Sequence, residues 1–225
     1  MSKVFIIEDD ESLFKELEER LEEWDYIVHG VTDFANILND FIRIEPDLVI
    51  IDVTLPKYDG FYWCRRIRDI SNLPIIFLSS RNHPSDMVMS MQLGSDDYVQ
   101  KPFNFDVLVA KVQALLRRTY QYQNQDIHVM KFRDAVIDFK KLTVVRNEAE
   151  MNMTKNESFI LSVLINEINQ AVTREALIEK LWDDSRFIND NTLTVNVNRI
   201  RKKLDDIGLE DAIITKTGLG YMLKE

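Results

Sequence analysis

Cysteine is almost absent from this 225-residue chain, which contains only Cys64. A single cysteine excludes a disulfide framework and argues against a cysteine-based metal site, so we interpret it as a small apolar helix residue. Long hydrophobic runs are also lacking, and we expect no direct membrane insertion. The apolar run after Met1 is too short for a secretory signal, which favours a cytoplasmic location.

An excess of positive charge is lacking as well. The net charge is −10, with −8 on residues 1–120 and −2 on residues 121–225. Within the second half, the segment 191–203 has no acidic residue and contains four basic ones, Arg199, Arg201, Lys202 and Lys203. DNA binding requires a local positive surface rather than a basic protein, so the second half remains compatible with DNA binding.

The first 118 residues alternate short apolar runs with helical patterns. The apolar runs cover 4–7, 26–28, 48–51, 73–78 and 97–99, and the helical patterns cover 12–24, 33–42, 60–70, 84–93 and 104–118. Continuous apolar strands that alternate with helices predict an α/β fold with a parallel sheet covered on both faces. We expect a flavodoxin-like, doubly wound (βα)5 domain.

The pattern changes after an amide-rich segment, 119–130, which we interpret as a linker. Two runs in which apolar and polar residues alternate predict antiparallel strands. Thr154 to Glu157 form a capping box ahead of a helix. Two more helices and a glycine-turned hairpin follow. This order predicts an α+β winged-helix domain. The expected domains are therefore 1–118 and 131–225, joined by the linker.

Polar residues follow four of the predicted parallel strands. Glu8 and Asp9 follow the first strand, Asp52 the third, Ser79 the fourth and Lys101 the fifth. Ligands bind outside the carboxyl ends of such strands, so we expect these groups to converge. Each one alone has an ordinary explanation as a cap, a turn residue or a surface charge. Four independent strand ends that supply one site favour a functional interpretation.

These residue types suit phosphoryl transfer to a carboxylate. Asp52 is the candidate nucleophile, which would form an acyl phosphate. Glu8, Asp9 and Asp52 offer oxygen ligands for Mg²⁺, which screens the two anionic reactants. Lys101 would neutralise a phosphoryl oxygen, and the Ser79 hydroxyl would donate to another.

Three segments together resemble the receiver domains of two-component response regulators. They are Ile6 to Asp10, Asp52 to Gly60, and Gly94 to Phe103. The resemblance implies that Asp52 is phosphorylated by a sensor histidine kinase, that Ser79 and Tyr98 are switch residues, and that the Lys101–Pro102 peptide is cis.

Phosphorylation adds up to two negative charges, and we expect Ser79 to move toward them while Tyr98 rotates inward from the surface. The affected face would include the fifth strand and its flanking helices. Its charged residues have both signs, which suits a two-fold homodimer formed on phosphorylation. They are Asp96, Asp97, Lys111, Arg117 and Arg118.

The predicted last helix has an apolar face formed by Leu193, Val197, Ile200 and Leu204. Asparagine suits adenine and arginine suits guanine or phosphate, so its other faces are candidates for contacting promoter DNA. The pattern resembles the recognition helix of the OmpR/PhoB class, which also implies a wing with Lys216 and Thr217 and RNA polymerase as a further partner. The expected DNA contacts on the helix are Asn191, Thr194, Asn198 and Arg201 outward, Asn196 and Arg199 beside them, and Lys202 on phosphate.

A closer resemblance connects the segments 55–61, 85–94 and 189–204 with the BceR/GraR/VirR regulators. It implies control of genes for cell-envelope stress or antimicrobial-peptide resistance. It also implies a small intramembrane-sensing kinase and a peptide-exporting transporter as functional partners.

Three other interpretations remain open. A dehalogenase-like phosphatase would place its nucleophile after the first strand, whereas Asp52 follows the third. A flavodoxin-like cofactor binder would need a phosphate loop where Glu8 and Asp9 stand. A receiver that acts without phosphorylation would not need the acidic pair, Ser79 and Lys101. We therefore expect a regulator and not an enzyme.

Overall fold

The computed structural model describes residues 1–80, 89, 93–121, 129–182 and 190–225. The helix predicted over 84–93 lies almost wholly outside these residues. The chain divides into two compact units, Met1–Leu116 and Arg117–Glu225. Within the described ranges, no helix combines the length and apolar character that a membrane span requires.

The first unit contains a five-stranded parallel sheet in the order β2-β1-β3-β4-β5. The order reverses between β1 and β3, and this confirms the predicted doubly wound fold. The strands are β1 (Lys3–Ile7), β2 (Ile27–Gly30), β3 (Leu48–Asp52), β4 (Ile75–Ser79) and β5 (Asp97–Gln100). The described helices are α1 (Glu11–Glu22), α2 (Ile37–Ile44), α3 (Gly60–Arg68) and α4 (Phe105–Gln121).

Side chains that alternate along the strands supply two separate cores, one on each face of the sheet. Leu17 and Leu21 of α1 and Val112 of α4 pack on one face. Phe41 of α2 and Ile67 of α3 pack on the other. Because both faces are buried, β1, β3 and β4 are apolar at nearly every position, as the sequence pattern predicted.

Two helix boundaries of the first unit differ from the prediction by three residues or more. The second helix begins at Ile37 rather than near Asp33, because the Asp33 carboxylate accepts the Ala35 amide (2.8 Å) and the Asn36 side-chain amide (2.8 Å). These bonds form a turn ahead of the helix. Helix α4 continues through Gln121, three residues into the predicted linker, and the strand that follows the linker starts at Val129.

The second unit has the predicted winged-helix architecture. Three helices follow an antiparallel sheet of four strands, and a three-stranded sheet in the order β10-β12-β11 closes the unit. The first sheet comprises β6 (Val129–Phe132), β7 (Ala135–Asp138), β8 (Thr143–Arg146) and β9 (Ala149–Asn152). The helices are α5 (Lys155–Asn166), α6 (Arg174–Trp182) and α7 (Asp190–Asp206), and the second sheet comprises β10 (Val172–Thr173), β11 (Ile213–Lys216) and β12 (Gly220–Leu223).

The sequence pattern did not predict β6, β9 or β10. Strand β9 reads Ala-Glu-Met-Asn, and only Met151 of its four residues is buried. Strand β10 has two residues and pairs through Val172 with Tyr221. Such short edge strands depend on pairing with distant residues, and a local alternation of apolar residues is too brief to reveal them.

Candidate functional site

Three carboxylates meet at the carboxyl ends of β1 and β3. Glu8 and Asp9 follow β1 directly, and Asp52 is the last residue of β3. One oxygen from each side chain lies within 4.8 Å of the others. Glu8 and Asp52 are 6% exposed, whereas Asp9 is exposed. The structure therefore brings together the acidic residues that the sequence selected.

Asp10 has a different task from its acidic neighbours. Its Oδ1 atom accepts the backbone amides of Ser12 (2.9 Å) and Leu13 (3.2 Å), and so caps α1. The sequence left open whether Asp9 or Asp10 is the cap. The assignment to Asp10 leaves the Asp9 carboxylate available to a ligand.

Lys101 extends from the loop after β5 into the acidic cluster. Its Nζ atom donates to Glu8 Oε2 (2.8 Å) and to Asp52 Oδ2 (2.5 Å). Burial favours the neutral amine, but the hydrogen bonds to the two carboxylates outweigh this effect and raise the pKa of Lys101. The lysine therefore provides a permanent positive charge beside Asp52. The Lys101–Pro102 peptide is cis, as the family resemblance implied.

Glu8 is influenced by opposing effects. Burial and the nearby Asp52 carboxylate raise its pKa, while the hydrogen bond from Lys101 lowers it, and the net pKa lies above the usual value. Three acidic side chains and one lysine thus leave an excess of negative charge in a largely buried site. A bound cation would relieve this repulsion.

The donor set fits Mg²⁺. This ion prefers oxygen ligands at about 2.0–2.1 Å, so the ligand oxygens of one ion lie at most about 4.2 Å apart. The three oxygens lie within 4.8 Å of one another, so at most a small adjustment would bring them into this range. Glu8, Asp9 and Asp52 are the residues that would hold the ion.

Gly60 allows the start of α3 to lie close to Asp52. From the sequence, this glycine was expected only to begin a helix. Its amide donates to the Val53 carbonyl (2.9 Å). A Cβ atom at this position would lie 2.2 Å from the Asp52 carbonyl oxygen. Only glycine permits so close an approach of α3 to the end of β3. On the other side, the Thr54 amide donates to Asp52 Oδ1 (3.0 Å).

The two proposed switch residues lie on neighbouring strands. Ser79 ends β4 and is fully buried, and its carbonyl accepts the Lys101 amide (2.7 Å). Tyr98 in β5 is half-buried and packs against the core that includes Phe77. Tyr98 is therefore partly exposed, and the inward rotation of its ring on phosphorylation stays a prediction.

The residues expected at a dimer interface are largely engaged inside the first unit. Asp96 is fully buried and accepts a bond from Arg68 Nη2 (2.7 Å). Asp97, 2% exposed, accepts two bonds from Lys111 (2.9 and 2.8 Å). The sequence suggested surface charges because a buried partner such as Arg68 is distant along the chain. Arg117 is half-buried, and the Arg118 side chain lies outside the described residues.

Helix α7 presents the predicted apolar stripe to the core, since its four residues are at most 1% exposed. The prediction is wrong for two expected DNA contacts, because their side chains face the interior of the unit. Asn196 is fully buried and donates to the Thr192 carbonyl (3.0 Å), and Arg199 Nε lies 3.1 Å from the buried Glu157 carboxylate. The inner face of α7 is thus wider than its apolar residues suggested.

The remaining expected contacts divide into bound and exposed side chains. Arg201 donates to the Ile213 carbonyl (2.8 Å) and to Thr215 Oγ1 (2.7 Å), which holds it against the β11–β12 hairpin. Thr194 Oγ1 accepts from Arg174 (2.8 Å), a residue that the sequence did not select. Four are exposed, namely Asn198, Lys202, Lys216 and Thr217, while the Asn191 side chain lies outside the described residues.

Comparison with known families covers both units. Residues 4–113 match the family described as "Response regulator receiver domain". Residues 148–223 match the family described as "Transcriptional regulatory protein, C terminal". The first match contains the whole acidic site, and the second contains α7 and the hairpin.

Two relatives are similar over nearly the whole chain. The sensory transduction protein BceR of Halalkalibacterium halodurans is 56% identical over 225 residues, which cover 100% of this chain and 97% of the relative. The response regulator protein GraR of Staphylococcus saprophyticus is 54% identical over 219 residues, which cover 97% and 98%. The crystal structure of DrrB, a Thermotoga maritima OmpR/PhoB homolog, has 30% identity and a TM-score of 0.54 with full coverage of both chains.

Proposed function

Because the chain belongs to the OmpR/PhoB-type response regulators, we propose that phosphorylation of Asp52 controls its binding to promoter DNA. Members of this family are DNA-binding regulators of two-component systems and not enzymes. The observation that carries the proposal is the convergence of Glu8, Asp9, Asp52 and Lys101 at one sheet edge.

The site suits attack by Asp52 on a phosphoryl group. Asp52 Oδ1 is held by the Thr54 amide, so the carboxylate has a fixed direction. Lys101 places a cation where a phosphoryl oxygen would lie, and it exchanges its bond to Asp52 for one to that oxygen. Glu8, Asp9 and Asp52 would hold Mg²⁺, which would neutralise charge between the two anions. The donor of the phosphoryl group in the cell is a sensor histidine kinase.

Side chains on β4 and β5 change position when the phosphoryl group is present. The Ser79 hydroxyl donates to it, and the movement of Ser79 makes room for Tyr98 to turn further inward. We propose that the protein then forms a homodimer. Its interface would involve Arg117, Arg118 and the pair Asp97–Lys111, which would exchange internal for intermolecular partners, a change typical of switching interfaces.

The proposed DNA surface consists of the outward side of α7 and the tip of the hairpin. Asn198 is suited to read a base in the major groove, and Lys202, Lys216 and Thr217 are suited to phosphate contacts. From the sequence we further propose Asn191 and Thr194 as contacts, although Thr194 Oγ1 accepts a bond from Arg174 in the structure. We propose RNA polymerase as a further partner of the homodimer when the homodimer is bound to promoter DNA.

The similarity to BceR and GraR supports a more specific role. We propose that the target genes serve cell-envelope stress or antimicrobial-peptide resistance, and that the protein acts in the cytoplasm. For single-domain variants we propose the limits 1–121 and 129–225 in place of the predicted 1–118 and 131–225, because they keep α4 and β6 whole.

The test measures DNA selection by the full-length protein with and without acetyl phosphate and Mg²⁺. The probe is a pool of random duplexes of about 30 base pairs, enough for two half-sites. We expect the treated wild type to enrich one sequence family, and Asp52→Ala to lose the effect of treatment. Equal enrichment by both proteins would contradict control by Asp52 and favour a receiver that acts without phosphorylation.

A further inference from the structure

Helix α7 has a second buried stripe, which is polar. Thr192, Asn196, Arg199 and Lys203 follow one another at spacings of four, three and four, so they share one face of the helix. Thr192 is 1% exposed and Asn196 is fully buried. The Arg199 side chain is 14% exposed. Polar groups on an inner face are costly unless they have partners, so this stripe requires an explanation.

Two members of the stripe, Arg199 and Lys203, share the partner Glu157, which is fully buried in the first turn of α5. Its carboxylate lies 3.1 Å from Arg199 Nε and accepts a bond from Lys203 Nζ (2.7 Å). It also accepts the Thr154 amide (2.8 Å) within the capping box. Lys203 in addition donates to the Asn152 carbonyl (2.9 Å), so the cluster connects α7 with both α5 and β9.

Glu157 is charged in this environment. Burial alone would raise its pKa, but the positive charges of Arg199 and Lys203 outweigh burial, and the pKa lies below the usual value. The three side chains therefore form an ionic cluster between α5 and α7 in which Glu157 is fully buried and Lys203 is 33% exposed.

We propose that Glu157 is a positioning residue that fixes the rotation of α7 about its own axis. The inference rests on the proposed DNA binding by α7. One residue corresponds to about 100° of rotation along a helix, so a small rotation would redirect the outward Asn198 and Lys202. Leucine and valine packing tolerates such adjustments, whereas an ion pair from Arg199 and a hydrogen bond from Lys203 to one buried carboxylate restrict them.

The inference separates two roles among the basic residues of α7. Arg199 and Lys203 hold the helix, whereas Lys202 faces outward. Loss of the cluster should therefore reduce discrimination between sequences more than it reduces binding to DNA in general. If Arg199 and Lys203 had a purely structural role, their loss would affect only the stability of the fold.

The experiment replaces the charged cluster by uncharged side chains of similar size, in the full-length triple variant E157Q/R199L/K203M, in which the glutamine keeps an acceptor for the Thr154 amide. Buried ion clusters replaced in this way often keep or gain stability, so folding is expected. Affinities are measured after acetyl phosphate treatment for two probes, the duplex that wild type enriches and the random pool. We expect the ratio of these affinities to fall about tenfold, the loss that one mismatched base pair causes.

The matched control removes one exposed positive charge in the same unit, Lys141, whose Nζ lies 3.9 Å from the Asp138 carboxylate, as K141M. Its affinity ratio should equal that of wild type. If the triple variant does not fold, E157Q measured below its melting temperature gives the same test, and its ratio should also fall. An unchanged ratio in a folded variant would overturn the inference. A wild type that enriches no sequence would overturn the proposed function, and the inference with it.

Discussion

Gly60 offers a direct test of how the backbone positions Asp52. In Gly60→Ala the new Cβ atom would lie 2.2 Å from the Asp52 carbonyl oxygen and 2.9 Å from Ile51 Cγ2. Neither contact is tolerable, so α3 and the end of β3 must separate by about 1 Å. A displacement of this size costs about 100-fold in rate when it moves a reacting group. Overpacking costs about 1–3 kcal/mol, which a domain with 5–15 kcal/mol of stability survives.

The assay follows the full-length protein by intact mass after addition of acetyl phosphate and Mg²⁺. We expect Gly60→Ala to remain folded by circular dichroism and to gain its phosphoryl group about 100-fold more slowly than wild type.

The matched control is Gly218→Ala in the hairpin of the second unit. Gly218 has φ +74°, and an added Cβ would have no atom within 4 Å. This change costs about 1–2 kcal/mol in backbone conformation and should leave the phosphorylation rate unchanged. A wild-type rate in folded Gly60→Ala would refute the argument that this glycine positions Asp52.

Three further predictions concern buried charge and DNA. Asp96→Asn leaves Arg68 buried without its ionic partner and should cost about 3–5 kcal/mol in urea unfolding; a loss below about 1 kcal/mol would contradict this. Lys202→Ala should reduce the slope of the logarithm of the DNA-binding constant against the logarithm of salt concentration by about 0.9 per subunit. Arg199→Met should leave this slope unchanged, because Arg199 faces Glu157. The slopes are measured by fluorescence anisotropy, and equal changes in the two variants would contradict the assignment of Lys202 to a phosphate contact and of Arg199 to the interior. The lowered pKa of Glu157 stabilises the fold at pH values above its usual pKa of 4.5, and this stabilisation is lost as the pH falls through the lowered pKa. Melting curves at decreasing pH should therefore show a smaller fall in melting temperature for Glu157→Gln than for wild type. Equal falls in melting temperature would count against an ionised Glu157.

Much of the receiver site could be predicted because parallel strands signal their own ends. A buried strand such as β3 is apolar up to its last residue, so the first charged residue, Asp52, marks the sheet edge. Glu8 and Lys101 followed from the same logic at β1 and β5. The topology rule then placed them together without any knowledge of the side-chain contacts.

The orientation of charged side chains could not be predicted in this way. Arg199 was expected beside the DNA surface because its partner Glu157 is distant in sequence and belongs to a capping box. Asp97 and Lys111 were expected on the surface for the same reason. Pairing across elements depends on tertiary packing, whereas a helical pattern distinguishes only apolar from polar residues.

The central claim is that Asp52 accepts a phosphoryl group in the cluster formed with Glu8, Asp9 and Lys101. Intact mass and peptide mapping of the full-length protein after treatment with acetyl phosphate and Mg²⁺ test it most directly. The matched control is Asp69→Ala, an exposed acid at the end of α3. We predict one phosphoryl adduct on Asp52 in wild type and in this control, and none in Asp52→Ala. An adduct that persists in Asp52→Ala, or none in wild type, would contradict the account.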